Sequence, residues 1–176
     1  MAGKIYDVAP VPDTNIQIGL LLAMLDDNTE DWREELGAIP DEAVIWQPVP
    51  NGHNIGAITL HIADVEAFWL HEIAAGHVRS EEEIQRLLSV ETQQYDGVWP
   101  TPPQKPLTWY FEQHDEIRNR SRQYVSSLSD PEETRLRPGR DNRYTIRWLL
   151  HHVITHEAYH GGQAVLLAMQ WNARAS

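Results

Sequence analysis

Residues 145–171 read TIRWLLHHVITHEAYHGGQAVLLAMQW, and the periodicity of this stretch decides the fold. Ile146, Leu149, Val153, His156, His160, Ala164 and Leu167 follow one another at steps of three or four. That spacing sets side chains on one face of an α-helix. Two histidines stand in the middle of the apolar stripe. Thr145 is a suitable N-cap, because its hydroxyl can accept from the free N–H groups of a first turn. The spacing predicts a helix from about Thr145 to Trp171.

Three more such patterns lie upstream. Ile18, Leu21, Leu22, Leu25, Trp32 and Leu36 predict a helix from about Asp13 to Leu36, stopped by Gly37 and Pro40. Ile55, Ile58, Ile62, Val65, Phe68 and Trp69 predict a second, from about His53 to Ala75, with Gly76 as its stop. Leu107, Tyr110, Phe111, Ile117, Tyr124 and Leu128 predict a third, from about Leu107 to Leu128, opened by Pro106. Between the second and third lies the long connection Gly76 to Pro106, where Ser80 caps a short acidic helix over Glu81 to Val90. A connection that long can cross the length of a bundle, so helices two and three can run parallel. The loop Ser129 to Tyr144 is polar and expected to be exposed, and no strand pair is evident. The expected fold class is all-α: one domain over residues 1–176, a four-helix bundle in up-down-down-up order.

Composition narrows the function. The chain has 176 residues, no cysteine and a net charge of −12. Absence of cysteine removes disulfides, thiolate nucleophiles, zinc–cysteine sites and iron–sulfur clusters. The acidic balance opposes binding to a phosphate backbone, so no nucleic-acid partner is expected. No apolar run reaches membrane-spanning length, and Met1 to Asp7 carries no apolar leader, so no membrane partner and a cytoplasmic location are expected.

The nine histidines hold the chemical information. His156 and His160 are one turn apart on one face, where both imidazoles can reach a single ion. On helix two, Ile58, His61, Val65 and Phe68 place His61 on the stripe, and on helix three His114 falls between Tyr110 and Ile117. Each neutral imidazole needs partners for two ring nitrogens, and the stripes offer few polar groups. A divalent metal satisfies several at once. The expected ligands are His61, His156 and His160, with His114 as the candidate fourth. His152 lies about 80° round the helix from His160 and belongs to the rim. His151 points outward, His53 and His77 are terminal and expected to be exposed, and His71 lies off the stripe. Asp64, one turn after His61, is either an acceptor for an imidazole N–H or a solvated carboxylate.

His156-Glu157-Ala158-Tyr159-His160 also matches H-E-x-x-H, the zinc-protease pattern. Residues 161–176 contain no His, Asp or Glu to serve as the later third ligand, so the protease reading ranks below a small-molecule site.

The segment Asn54 to Glu66 resembles the second-helix motif of the DinB-like family, and Thr155 to Gln163 resembles that family's C-terminal H-x-x-x-H-x-G-Q motif. The order and separation fit, and the resemblance covers nearly the whole chain. It implies an up-down-down-up four-helix bundle, a three-histidine site on His61, His156 and His160 for a divalent ion such as zinc or nickel, and a homodimer. Characterised relatives include thiol S-transferases using low-molecular-weight thiols, a thiol-dependent isomerase and proteins described as metal-dependent hydrolases. Relatives often carry Arg after the last ligand, where this chain has Gly161. Three ligands leave an open position on a tetrahedral ion. The expected enzyme is a metal-dependent thiol S-transferase acting on a small-molecule substrate with a low-molecular-weight thiol cosubstrate. The alternatives are a hydrolase, with Glu157 as the catalytic base, and a non-catalytic metal-stabilised protein. Glu157 is 100° round from His156, which fits an outward structural carboxylate slightly better than a base.

Overall fold

The computed structural model describes residues 5–92 and 98–174, and the chain is mostly helical. Its α-helices are α1 (Ile16–Leu36), α2 (Asp41–Val44), α3 (Ile55–Glu66), α4 (Glu81–Arg86), α5 (Leu107–Ser126) and α6 (Ile146–Ala173). Helix α3 passes directly into a π-helical segment, Ala67–Ala74. An antiparallel hairpin, β1 (Thr134–Leu136) and β2 (Arg143–Thr145), precedes α6.

Side-chain caps set the helix starts. Asn15 accepts from the N–H groups of Gln17 and Ile18, so α1 opens at Ile16 rather than at Asp13. Asn54 accepts from Ala57 N–H, which starts α3 at Ile55 rather than at His53. Ser80 and Thr145 cap as their residue types and positions predict, accepting from Glu83 and Trp148.

Helix α1 lies along α6, and α3 lies against both α5 and α6. The buried apolar side chains form two clusters. One gathers Trp32, Ile58, Leu60, Tyr110, Ile117 and Ala164; the other gathers Leu22, Leu25, Leu70, Val125, Leu149 and Val153. Each fully buried Leu or Ile contributes roughly 1.5–3 kcal/mol relative to exposure. Gly56 sits where α3 meets α5 and the long connection: a Cβ there would lie 2.8 Å from the Tyr110 ring and 2.9 Å from Pro102.

The expectations for the last loop and for the second helix are also corrected. The segment Ser129 to Tyr144 is not simply a polar loop, because Thr134 pairs with Thr145, Arg135 with Tyr144 and Leu136 with Arg143. Strands of three residues are too short for apolar alternation to mark them. The Arg135 Nε donates to the Ala74 carbonyl at 2.9 Å and pins the hairpin to the end of the π-helical segment. The second predicted helix does not continue as α-helix to Ala75. Its π-helical turns shift the phase of the residues that follow, and His71, expected off the stripe, is wholly buried with Nε2 2.9 Å from Ser121 Oγ.

The long connection is tied down at several points. Arg79 and Ser89 both donate to the Asp64 carboxylate, so Asp64 is neither solvated nor bonded to an imidazole. Trp99 is buried, and its backbone N–H donates to the Asn51 carbonyl at 2.7 Å. None of the helices described is long and apolar enough to cross a membrane.

Candidate metal centre

Helices α3 and α6 bring His61, His156 and His160 together. The ring centroids lie 4.9 Å apart for His61–His156, 4.9 Å for His61–His160 and 4.4 Å for His156–His160. One candidate ligand atom from each falls within 4.8 Å of the others. His61 and His160 are each 8% exposed, whereas His156 is half-buried, so the cluster opens on the His156 side.

The electrostatics favour neutral rings. Burial pushes His61 down to about 3, helped by the neighbouring His160 and His53. Burial, then His160 and His61, pushes His156 down to about 2. Burial pushes His160 down to about 4 against the opposing bond to Gln163. Neutral imidazoles present lone pairs, which is the form a metal requires.

His160 Nδ1 is 2.7 Å from Gln163 Oε1. An amide oxygen only accepts, so Nδ1 carries the proton and Nε2 keeps the lone pair. His61 Nδ1 is buried with no hydrogen-bond partner among the described residues. Three convergent lone-pair donors with an orphaned ring nitrogen fit a divalent ion of the kind that takes nitrogen ligands.

Aromatic rings flank the cluster. Trp99 approaches His61 at 5.5 Å and His160 at 6.1 Å, and His53 tilts onto Trp99 at 4.2 Å. His53 is therefore half-buried rather than exposed as its terminal position predicts. His152 stands on the other side, 6.2 Å from His156 and half-buried, in the expected rim position.

His114 is not with the other three. It belongs to a second buried group with Glu66 and Glu157. Its Nε2 is 3.4 Å from Glu66 and 3.9 Å from Glu157. The Arg33 guanidinium, which can only donate, meets His114 Nδ1 at 2.8 Å. Glu157 is inward, not outward, and has no exposed surface. It accepts from Thr29 Oγ1 at 2.6 Å, Trp32 Nε1 at 2.8 Å and Arg118 at 2.7 Å. Arg118 also grips both oxygens of Glu66, at 2.9 to 3.1 Å. Burial pushes the Glu66 carboxyl up, but the Arg118 charge and the bonds from His114 and Arg118 outweigh it and hold the group below the usual carboxylate range. The guanidinium already supplies the positive charge that a metal would bring to these carboxylates.

Gly161 has a packing reason. A Cβ there would lie 2.6 Å from Trp32 Cγ, so the ring that bonds Glu157 leaves no room for a side chain.

The fold and this centre together have the character of a metal-binding helical protein of the DinB-like superfamily. The mycothiol-S-transferase family model matches residues 20–170, and the chain belongs to that family. No curated protein matches it.

Proposed function

We propose that the chain is a metal-dependent thiol S-transferase whose ion, zinc or nickel, is held by His61, His156 and His160. The observation that carries this reading is the convergence of three buried or half-buried histidines, with a ligand atom of each within 4.8 Å of the others, in a chain of the mycothiol-S-transferase family. When bound, the ion supplies positive charge that favours the thiolate form of a thiol. The chain has no cysteine, so the thiol enters as a cosubstrate. In the transfer the thiol proton leaves to solvent and a sulfur lone pair forms the new C–S bond. The leaving group of an electrophilic acceptor departs with the electrons of the bond it loses. The residues hold the centre open on the His156 side, and Gln163 keeps His160 in one tautomer.

Hydrolysis ranks below transfer. Both oxygens of Glu157 are engaged by Thr29, Trp32 and Arg118, which fits a structural carboxylate better than a base. The proposed architecture is a single-domain four-helix bundle in up-down-down-up order, working in the cytoplasm as a homodimer. The test is an activity screen of metal-loaded protein with a haloarene or epoxide, with and without mycothiol, bacillithiol or glutathione. Ester and amide substrates run in parallel without thiol. Turnover that requires thiol and is abolished in His156→Ala supports transfer. Turnover without thiol that vanishes in Glu157→Gln supports hydrolysis.

A further inference from the structure

Trp148, His152, His156 and His160 recur every fourth residue on α6, each drifting about 40° round the helix from the last, so a row of rings winds from the surface to the candidate ligands. Trp148 is 38% exposed and stacks on His152 at 4.9 Å with an interplanar angle of 7°. His152 in turn reaches His156 at 6.2 Å. Trp69, from the π-helical segment, sets its edge against both Trp148 at 5.6 Å and His152 at 5.0 Å. Tyr144, from β2, lies 4.6 Å from Trp148. The platform is therefore braced by neighbouring rings, exposed at Trp148 and continuous with the centre at His156.

A cation stands beside it. Arg137, just past β1, places its guanidinium 5.2 Å from the Phe68 ring and 5.4 Å from the Trp69 ring. Its side chain makes no hydrogen bond or ion pair among the described residues. By contrast Arg118, Arg120 and Arg122 on α5 each meet a carboxylate. In a chain of net charge −12, a half-buried arginine without an acid partner, next to an aromatic platform, is a ready anion contact.

We infer that Trp148, His152, Trp69 and Arg137 form the acceptor subsite of the centre, and that the acceptor is planar and anionic. Its flat body lies against Trp148, its anionic group meets Arg137, and its electrophilic end points along α6 towards His156. Trp148 and His156 are eight residues apart, about 12 Å along the helix axis, so the acceptor is a fused or extended ring system rather than a single small ring. The inference rests on the transferase reading for the role of the subsite. Its binding chemistry rests only on the platform and Arg137.

Calorimetric titration of metal-loaded protein with 2-naphthoate and with its neutral isostere 2-naphthamide, in the absence of thiol, tests it. The expected result is tighter binding of the carboxylate by about tenfold. Arg137→Gln should erase that preference, and Arg137→Lys should keep part of it. Trp148→Ala should weaken both ligands alike. Equal affinity for the two ligands, or an unchanged preference in Arg137→Gln, overturns the subsite. A preference that disappears on chelating the metal but not in Arg137→Gln places the carboxylate on the ion and also overturns it. A Trp148→Ala variant that keeps its affinity but changes its sedimentation mass assigns the patch to a second copy of the chain instead. No turnover enters the measurement. A preference that persists in a protein without transferase activity fails the functional reading alone, and the reverse outcome fails the subsite alone.

Discussion

Gln163 Oε1 lies 2.7 Å from His160 Nδ1, three residues further along the same helix. This bond holds the ring in the tautomer that leaves Nε2 free. Gln163→Leu removes the acceptor and keeps much of the volume. It should weaken metal affinity by about 10–100-fold, the usual cost of losing a partner that orients a ligand. Competition against a chromophoric chelator measures this, with circular dichroism to show that the fold is retained.

Removing ligands should act more strongly. The double variant His156→Ala/His160→Ala should purify without stoichiometric metal, whereas His152→Ala should retain it. Elemental analysis of tag-free protein is the check. Full metal content in the double variant would mean that the ion sits elsewhere.

The neighbouring glycines Gly161 and Gly162 should respond in opposite directions. A Cβ at Gly161 meets Trp32 at 2.6 Å, whereas one at Gly162 meets nothing within 4 Å. Gly161→Ala should cost about 1–3 kcal/mol through overpacking. Gly162→Ala should stabilise α6 by about 0.5–1 kcal/mol, because glycine is entropically costly inside a helix. Urea denaturation of the pair decides it, and equal effects would rule out the Trp32 contact.

Arg118 bridges Glu66 and Glu157, neither of which has exposed surface. Arg118→Met should therefore destabilise by about 3–5 kcal/mol, since it leaves buried carboxylates without their cation. A loss under 1 kcal/mol in chemical denaturation would show that the network is wetter than its geometry indicates.

Burial, with Arg120 nearby and only partly opposed by Glu66, pushes His71 down to about 4. The unfolded chain takes up the proton near pH 6.5, and the folded chain does so only near pH 4. The contribution of His71 is thus fully present above pH 6.5 and lost as pH falls towards 4. The stability difference between the wild type and His71→Leu should shrink over that window by up to about 3 kcal/mol. Denaturation curves at a series of pH values, both proteins without metal, test the slope.

The helices and their stripes were legible because apolar spacing is a local signal, and Thr145 and Ser80 were legible as caps for the same reason. His61, His156 and His160 stood out as polar groups on apolar faces. His114 carried the same signal, yet it joins Glu66 and Glu157 instead, because spacing locates a face and not the partner opposite it. The burial of Glu157 depends on Thr29, Trp32 and Arg118, which come from two other helices. The anchoring of Asp64 by Arg79 and Ser89 depends on how the long connection folds back. The π-helical segment leaves no mark in composition, so the inward turn of His71 was out of reach. Arg137 gains its place from a hairpin whose strands are too short to announce themselves.

Because His156 and His160 ride on a single helix with Trp148 and His152, their mutual spacing is as stiff as the helix itself. His61 alone comes from α3, which continues into the π-helical segment to which the hairpin is pinned. The centre thus joins two ligands of fixed mutual spacing to a third whose place is set by the packing of α3 on α6. A substitution that loosens the packing of α3 on α6 should therefore move His61 relative to the pair while leaving the spacing within the pair unchanged.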